Sequence, residues 1–201
     1  LDAEGSGDFG RMRACAQEAL RADEELGWAA HLRAEALVHM GRLQEAQEAF
    51  TVALALAPDD PYLLAGIADL YANRLPPSRE RSVAALHFAN RGLRRADDVE
   101  LVRRLHLLAA WGEADLGRFD ASLTHGRRAL RIDEGDDAAW RVVGRALFEL
   151  TRFDEAEQAL RRALAIHEDA EGLHLLGLAL EWLPGRREAA EEALAKATAL
   201  E

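Results

Sequence analysis

Apolar residues recur three and four apart between Trp140 and Ala163. Trp140, Val143, Gly144 and Leu147 are followed by Phe153, Ala156, Leu160 and Ala163. This spacing predicts two successive amphipathic helices, each with one buried stripe. The double stripe returns elsewhere. Leu173, Leu176, Gly177 and Leu180 precede Ala190, Leu194 and Ala197, and Leu64, Ile67, Ala68 and Tyr71 precede Ala85, Ala89 and Gly92. Gly41, Leu43, Ala46, Phe50 and Ala53 supply a further second half, closed by Pro58. A small residue marks each unit at Ala19, Ala53, Gly92, Ala129, Ala163 and Ala197, at intervals of 34, 39, 37, 34 and 34. A period near 34 predicts an array of helix-turn-helix units. No β-branched alternation predicts a strand.

These residues resemble the tetratricopeptide repeat, whose pattern is W-x2-L-G-x2-Y followed by A-x3-F. The unit beginning near Trp140 fits best. The third unit fits least: it keeps Ala110, Gly117, Phe119 and Ala129, but His106 stands where tryptophan or leucine is usual. The resemblance implies an all-α, right-handed superhelical solenoid of antiparallel helix pairs. Gly7, Phe9, Met12, Ala16, Ala19 and Leu20 read as a second helix without its first. The expected organisation is an N-terminal half-repeat helix over 1–26 and five repeats over 27–201, in one continuous solenoid domain. A chain that starts in mid-repeat is expected to be a segment of a longer protein.

Local chemistry supports the register. Small residues at Ala34, Ala68, Ala110, Gly144 and Gly177 allow close helix crossing. Gly41, Gly117 and Gly185 fall where a left-handed cap is needed. Asp60 before Pro61 reads as an N-cap with proline at the first helical position. Asp120 and Asp154 suit the positive ends of second helices. Arg74-Leu75-Pro76-Pro77-Ser78 and the Ala96-Asp97-Asp98 region read as lengthened turns, with Ser78 able to cap the next helix.

Charge and composition narrow the function. A net charge of −11 disfavours general nucleic-acid binding. No apolar run reaches membrane-spanning length, and a cytoplasmic location is expected. The lone Cys15 reads as a small core residue. No glycine-rich phosphate loop, G-x-S-x-G elbow or H-E-x-x-H is present, so no enzymatic activity and no cofactor are expected. His31, Glu35 and His39 occupy successive turns of one helix. Their outer members lie about 12 Å apart along the axis, too far for one ion.

The resemblance implies that first helices line a concave groove and carry the ligand contacts. The matching positions include Trp28, Tyr62, Arg104, Trp111, Arg141, Arg145, Phe148 and Trp182. Trp140 falls at a core position instead. Tryptophan, tyrosine and arginine dominate interaction hot spots. Arg141 and Arg145, four apart on one helix face, could hold an acidic group or pair with Asp115 or Glu149. The carboxylate clamp of chaperone-binding members is absent, with His31, Glu35 and Gly66 in its place. The runs Arg127-Arg128 and Arg161-Arg162 fall on second helices as solvated faces, with room for an anionic partner.

The leading expectation is a module binding a peptide or partner protein, mainly between the third and fifth units. The alternative is a sensor or regulatory segment of a larger bacterial signalling or transcription-regulatory protein. Weak self-association is expected through open repeat ends at Phe9, Met12 and Ala16 or at Leu194 and Ala197.

Overall fold

The computed structural model describes residues 3–22 and 26–200, and side chains over 8–20 and 26–200. The described residues form helices without a strand. The chain divides into two compact units, Leu1–Asp97 and Asp98–Glu201.

In the first unit, α1 (Ala3–Ala22) packs on α2 (Gly27–His39), which pairs with α3 (Leu43–Leu56). Then α4 (Pro61–Asp69) runs into a π-helical turn at Leu70–Arg74 and pairs with α5 (Arg79–Leu93). Asp60 caps α4 as its sequence suggests, accepting hydrogen bonds from the Tyr62 and Leu63 amides. The π turn ends where Pro76 forces Leu75 into extended geometry, φ −93° and ψ 155°. Ser78 then caps α5 through the Arg81 amide. Ala34, Leu37, Phe50, Leu63, Ile67 and Leu70 form the core, with Tyr71 and Phe88 stacked at its edge.

In the second unit the pairs are α6 (Val99–Asp115) with α7 (Phe119–Leu130), α8 (Asp137–Glu149) with α9 (Phe153–Ile166), and α10 (Ala170–Glu181) with α11 (Arg187–Leu200). Leu123, Val143, Leu147, Leu160, Leu176 and Leu180 share one core. Each fully buried leucine contributes about 1.5–3 kcal/mol, several times what helix propensity supplies per residue. Packing between repeats therefore holds these short helices.

The small-residue positions are close crossings. A Cβ added at Gly144 would lie 2.5 Å from Leu160 Cγ, and one at Gly177 would lie 2.6 Å from Leu194 Cγ. The turns inside repeats adopt positive φ at Gly41, Gly117 and Gly185. The fourth repeat makes the same turn with Thr151, at φ 59°. Its amide donates to the Phe148 carbonyl and the next amide to the Leu147 carbonyl, closing the helix as Gly41 and Arg42 do. A β-branched residue is strained there.

Two expectations at the ends need correction. Cys15 is exposed, not a core residue. The buried face of α1 follows Phe9, Met12 and Ala16, and Cys15 lies off it: Ala16 is 2% exposed and Phe9 stacks on His39 with centroids 4.2 Å apart. That stripe is therefore covered by the chain's own α2 rather than open. At the other end Ala197 is buried, and Leu194 fills the space that Gly177 leaves.

Candidate functional site

Predicted anchor residues of the second unit fall into two sets of side chains. The first set surrounds Trp111 of α6. Two α8 arginines approach its ring, with Arg141 Cζ 5.8 Å and Arg145 Cζ 5.9 Å from the centroid. Positions four apart on one helix face allow both to reach it.

Neither arginine is free. Arg141 binds the Asp169 carboxylate, lies 3.2 Å from Glu171 through Nε, and is 3.8 Å from Asp137. Arg145 lies 3.2 Å from Asp115. Arg104 of α6 is exposed and also has an interaction partner. Asp169 is itself the N-cap of α10, accepting from the Gly172 amide at 2.6 Å. Arg141 thus ties α8 to the start of α10. The arrangement recurs one repeat earlier, where Arg103 of α6 binds Asp136, the N-cap of α8. Sequence reasoning considered Asp115 and Glu149 as partners. It missed Asp169 and Asp136, although an aspartate directly before α4, α6, α8 and α10 was the available signal.

The second set lies at the turn end of the fourth and fifth repeats. Phe148 of α8 meets Phe153 of α9 at 5.7 Å between centroids. Phe153 stacks on Trp182 at 5.4 Å, with ring planes 8° apart. Trp182 follows the last turn of α10 and remains 66% exposed. Phe153 was placed in the repeat core by its sequence position, yet it links the two predicted anchors. In the first unit, Trp28 of α2 and Tyr62 of α4 are 55% and 52% exposed. The structure thus groups Trp111, Arg141 and Arg145, and separately groups Phe148 and Trp182.

The third repeat carries a histidine pair. His106 of α6 and His125 of α7 place their Nδ1 atoms 3.0 Å apart. Burial pushes His106 down to about 4, helped by His125, Arg128 and Arg131. His125 is also lowered, by burial and then Arg128, against an opposing pull from Glu113. Both rings are therefore neutral at pH 7. One Nδ1 donates and the other accepts.

The His31, Glu35 and His39 set does not converge. His31 Nε2 lies 3.2 Å from Glu35, whereas His39 turns away to stack on Phe9. A different group, Asp137, His167 and Asp169, brings its ligand atoms within 4.8 Å of one another. Arg141 already bonds Asp169 and lies 3.8 Å from Asp137, so a guanidinium cation occupies the neighbourhood of that group. No helix among the described residues is long and apolar enough to cross a membrane.

Comparison with known proteins yields two matches to tetratricopeptide-repeat family models, over residues 29–60 and 113–180. No curated protein matches the chain. Among solved structures, it is similar to YrrB, described as a TPR protein with an unusual peptide-binding site. The identity is 20%, 92% of each chain is covered, and the TM-score is 0.70. It is also similar to PilW, a widely conserved type IV pilus biogenesis factor, at 21% identity. That match covers 96% of this chain and 86% of PilW, with a TM-score of 0.78. PilF of Pseudomonas aeruginosa gives 13% identity, 95% and 82% coverage, and a TM-score of 0.76. At these identities the likeness concerns the fold.

Proposed function

Because the chain is a tetratricopeptide-repeat protein, we propose that it is an interaction module whose first helices α6, α8 and α10 receive a peptide or partner protein. Scaffolds of this family are generally non-enzymatic, and the similar YrrB is described by its peptide-binding site. The observation that carries the reading is the row Phe148, Phe153 and Trp182, which ends in an indole 66% exposed to solvent. A large aromatic held rigidly by stacking loses little freedom when a partner covers it.

Of the two roles their spacing allows, we assign the arginines mainly the internal one. Arg141 is engaged by carboxylates of its own chain. It positions α10, and with Arg145 it buttresses Trp111. Among the described residues, Arg145 pairs with Asp115 at 3.2 Å and can exchange that contact for an acidic group of the partner. Partner binding then rests on apolar anchors at Trp111 and Trp182, with Arg145 adding orientation.

The test is affinity capture with the chain, followed by calorimetry with the purified partner. Trp182→Ala and Trp111→Ala are expected to weaken binding by about 30-fold each, the scale of an anchor worth about 2 kcal/mol. Arg128→Ala, on exposed second-helix surface, is expected to change affinity less than twofold. A partner whose affinity ignores both tryptophans would defeat the proposal.

A further inference from the structure

The opposite side of the same unit holds a cavity of about 580 Å³ that the proposed function does not use. It lies between the second helices α7 and α9, over α8. Leu130, Val143, Leu147 and Ala159 line its apolar part and are buried. The half-buried Trp140 forms one wall, fixed by its indole N–H donating to the Glu134 carbonyl at 2.8 Å. The site is open to solvent, and its volume is enough to receive a bulky side chain.

The rim is cationic in an otherwise acidic chain. Arg127, Arg131 and Arg162 stand there against Glu134 and Glu155. Arg127 lies 3.6 Å from Glu155. Among the described residues, no carboxylate lies within ion-pair distance of Arg131 or Arg162. Arg162 is nevertheless held in place, its Cζ 4.7 Å from the Trp140 ring centroid. A guanidinium stacked on an indole still presents its N–H edge to a carboxylate. The neighbouring field is positive, since Arg128 and Arg131 both help to depress the proton affinity of His106.

We propose that this cavity is a second docking site, for an acidic segment of a partner protein that inserts one bulky apolar side chain. The apolar part accepts the side chain against Leu130, Val143 and Trp140. Arg131 and Arg162 receive flanking carboxylates by charge-assisted hydrogen bonds. Local charge complementarity selects this occupant. A basic segment would meet three arginines. A nucleic acid has no side chain of the required kind to bury.

The experiment uses fluorescence anisotropy with the full chain and a labelled glutamate-rich peptide containing a single phenylalanine. The expected result is saturable binding, weakened tenfold or more by Arg131→Glu and by Arg162→Glu, and changed less than twofold by Trp111→Ala. Both arginines are exposed, so the variants are expected to keep the parent circular dichroism spectrum. Replacing the peptide's phenylalanine with glycine is expected to abolish binding, and replacing its glutamates with lysine likewise. The proposal is overturned if the acidic peptide does not bind at millimolar concentration. It is equally overturned if binding follows Trp111 rather than the two arginines, if the lysine peptide binds as well, or if a fatty carboxylate such as laurate occupies the cavity while the peptide does not.

Discussion

The two faces of the second unit both present arginine beside tryptophan, but the arginines are in different states. On the first-helix face, Arg141 and Arg145 flank Trp111 and are neutralised by Asp169, Glu171 and Asp115. On the second-helix face, Arg162 stacks on Trp140 with no carboxylate within ion-pair distance among the described residues. The same residue pair therefore serves internal bracing on one side and leaves cationic capacity on the other. For Arg141, what separates the faces is the supply of acidic N-caps. First helices begin with Asp98, Asp136 and Asp169, and the latter two sit within reach of an arginine from the preceding first helix. Second helices α7 and α9 instead follow Arg118 and Arg152, neither of which makes a side-chain cap.

The largest expected effect comes from disturbing the crossing on which both faces depend. Gly144→Leu forces a side chain into the space of the fully buried Leu160, where even a Cβ would lie 2.5 Å from Cγ. It is expected to destabilise by about 1–3 kcal/mol. An unchanged urea midpoint would contradict the crossing. Asp169→Ala comes next. It removes both the α10 cap and the main partner of Arg141. A loss of about 1–2 kcal/mol is expected, whereas Arg131→Ala on the other face should stay within about 0.5 kcal/mol. Equal losses in chemical denaturation would erase the distinction between braced and unbraced arginines.

Thr151 joins α8 of one face to α9 of the other in a left-handed conformation. Thr151→Gly is expected to stabilise by about 1 kcal/mol, because relief of β-branched strain exceeds the added unfolded-state entropy. A lower melting temperature for this variant would contradict the strain.

The fourth expected effect vanishes at neutral pH. His106 and His125 bind protons less readily in the folded chain than the ordinary histidine value of 6.5. The unfolded chain therefore takes up more protons below that value. Their contribution is fully present above pH 6.5 and is lost as pH falls through their lowered values, about 4 for His106. Comparing urea midpoints at pH 8 and pH 5 should show a smaller acid loss in His106→Leu than in the parent. Identical pH dependence would exclude the pair as its source.

Much of the repeat register was legible because it is local. Gly41, Gly117 and Gly185 announced the turns, and Asp60 and Ser78 announced their helices. Thr151 was not legible as a left-handed residue, since its type argues against that conformation and only the repeat geometry imposes it. The site was harder. Trp111 and Trp182 followed from repeat position, but the stack through Phe153 and the ion pair to Asp169 join residues about a repeat apart. Such contacts depend on side-chain reach across helices, which spacing within one helix does not encode. Cys15 failed for a related reason. Composition makes cysteine a core residue, while the helical phase set by Phe9, Met12 and Ala16 turns it outward.

The central claim is that partners of the first-helix face are held by its aromatic anchors rather than by its arginines. Calorimetry with a captured partner tests it directly by comparing Trp182→Ala with Arg141→Gln, after correcting for any loss of folded protein. The account predicts roughly 30-fold weaker binding for the tryptophan variant and less than about threefold for the arginine variant. The reverse order, with Arg141 dominant and Trp182 silent, would contradict it.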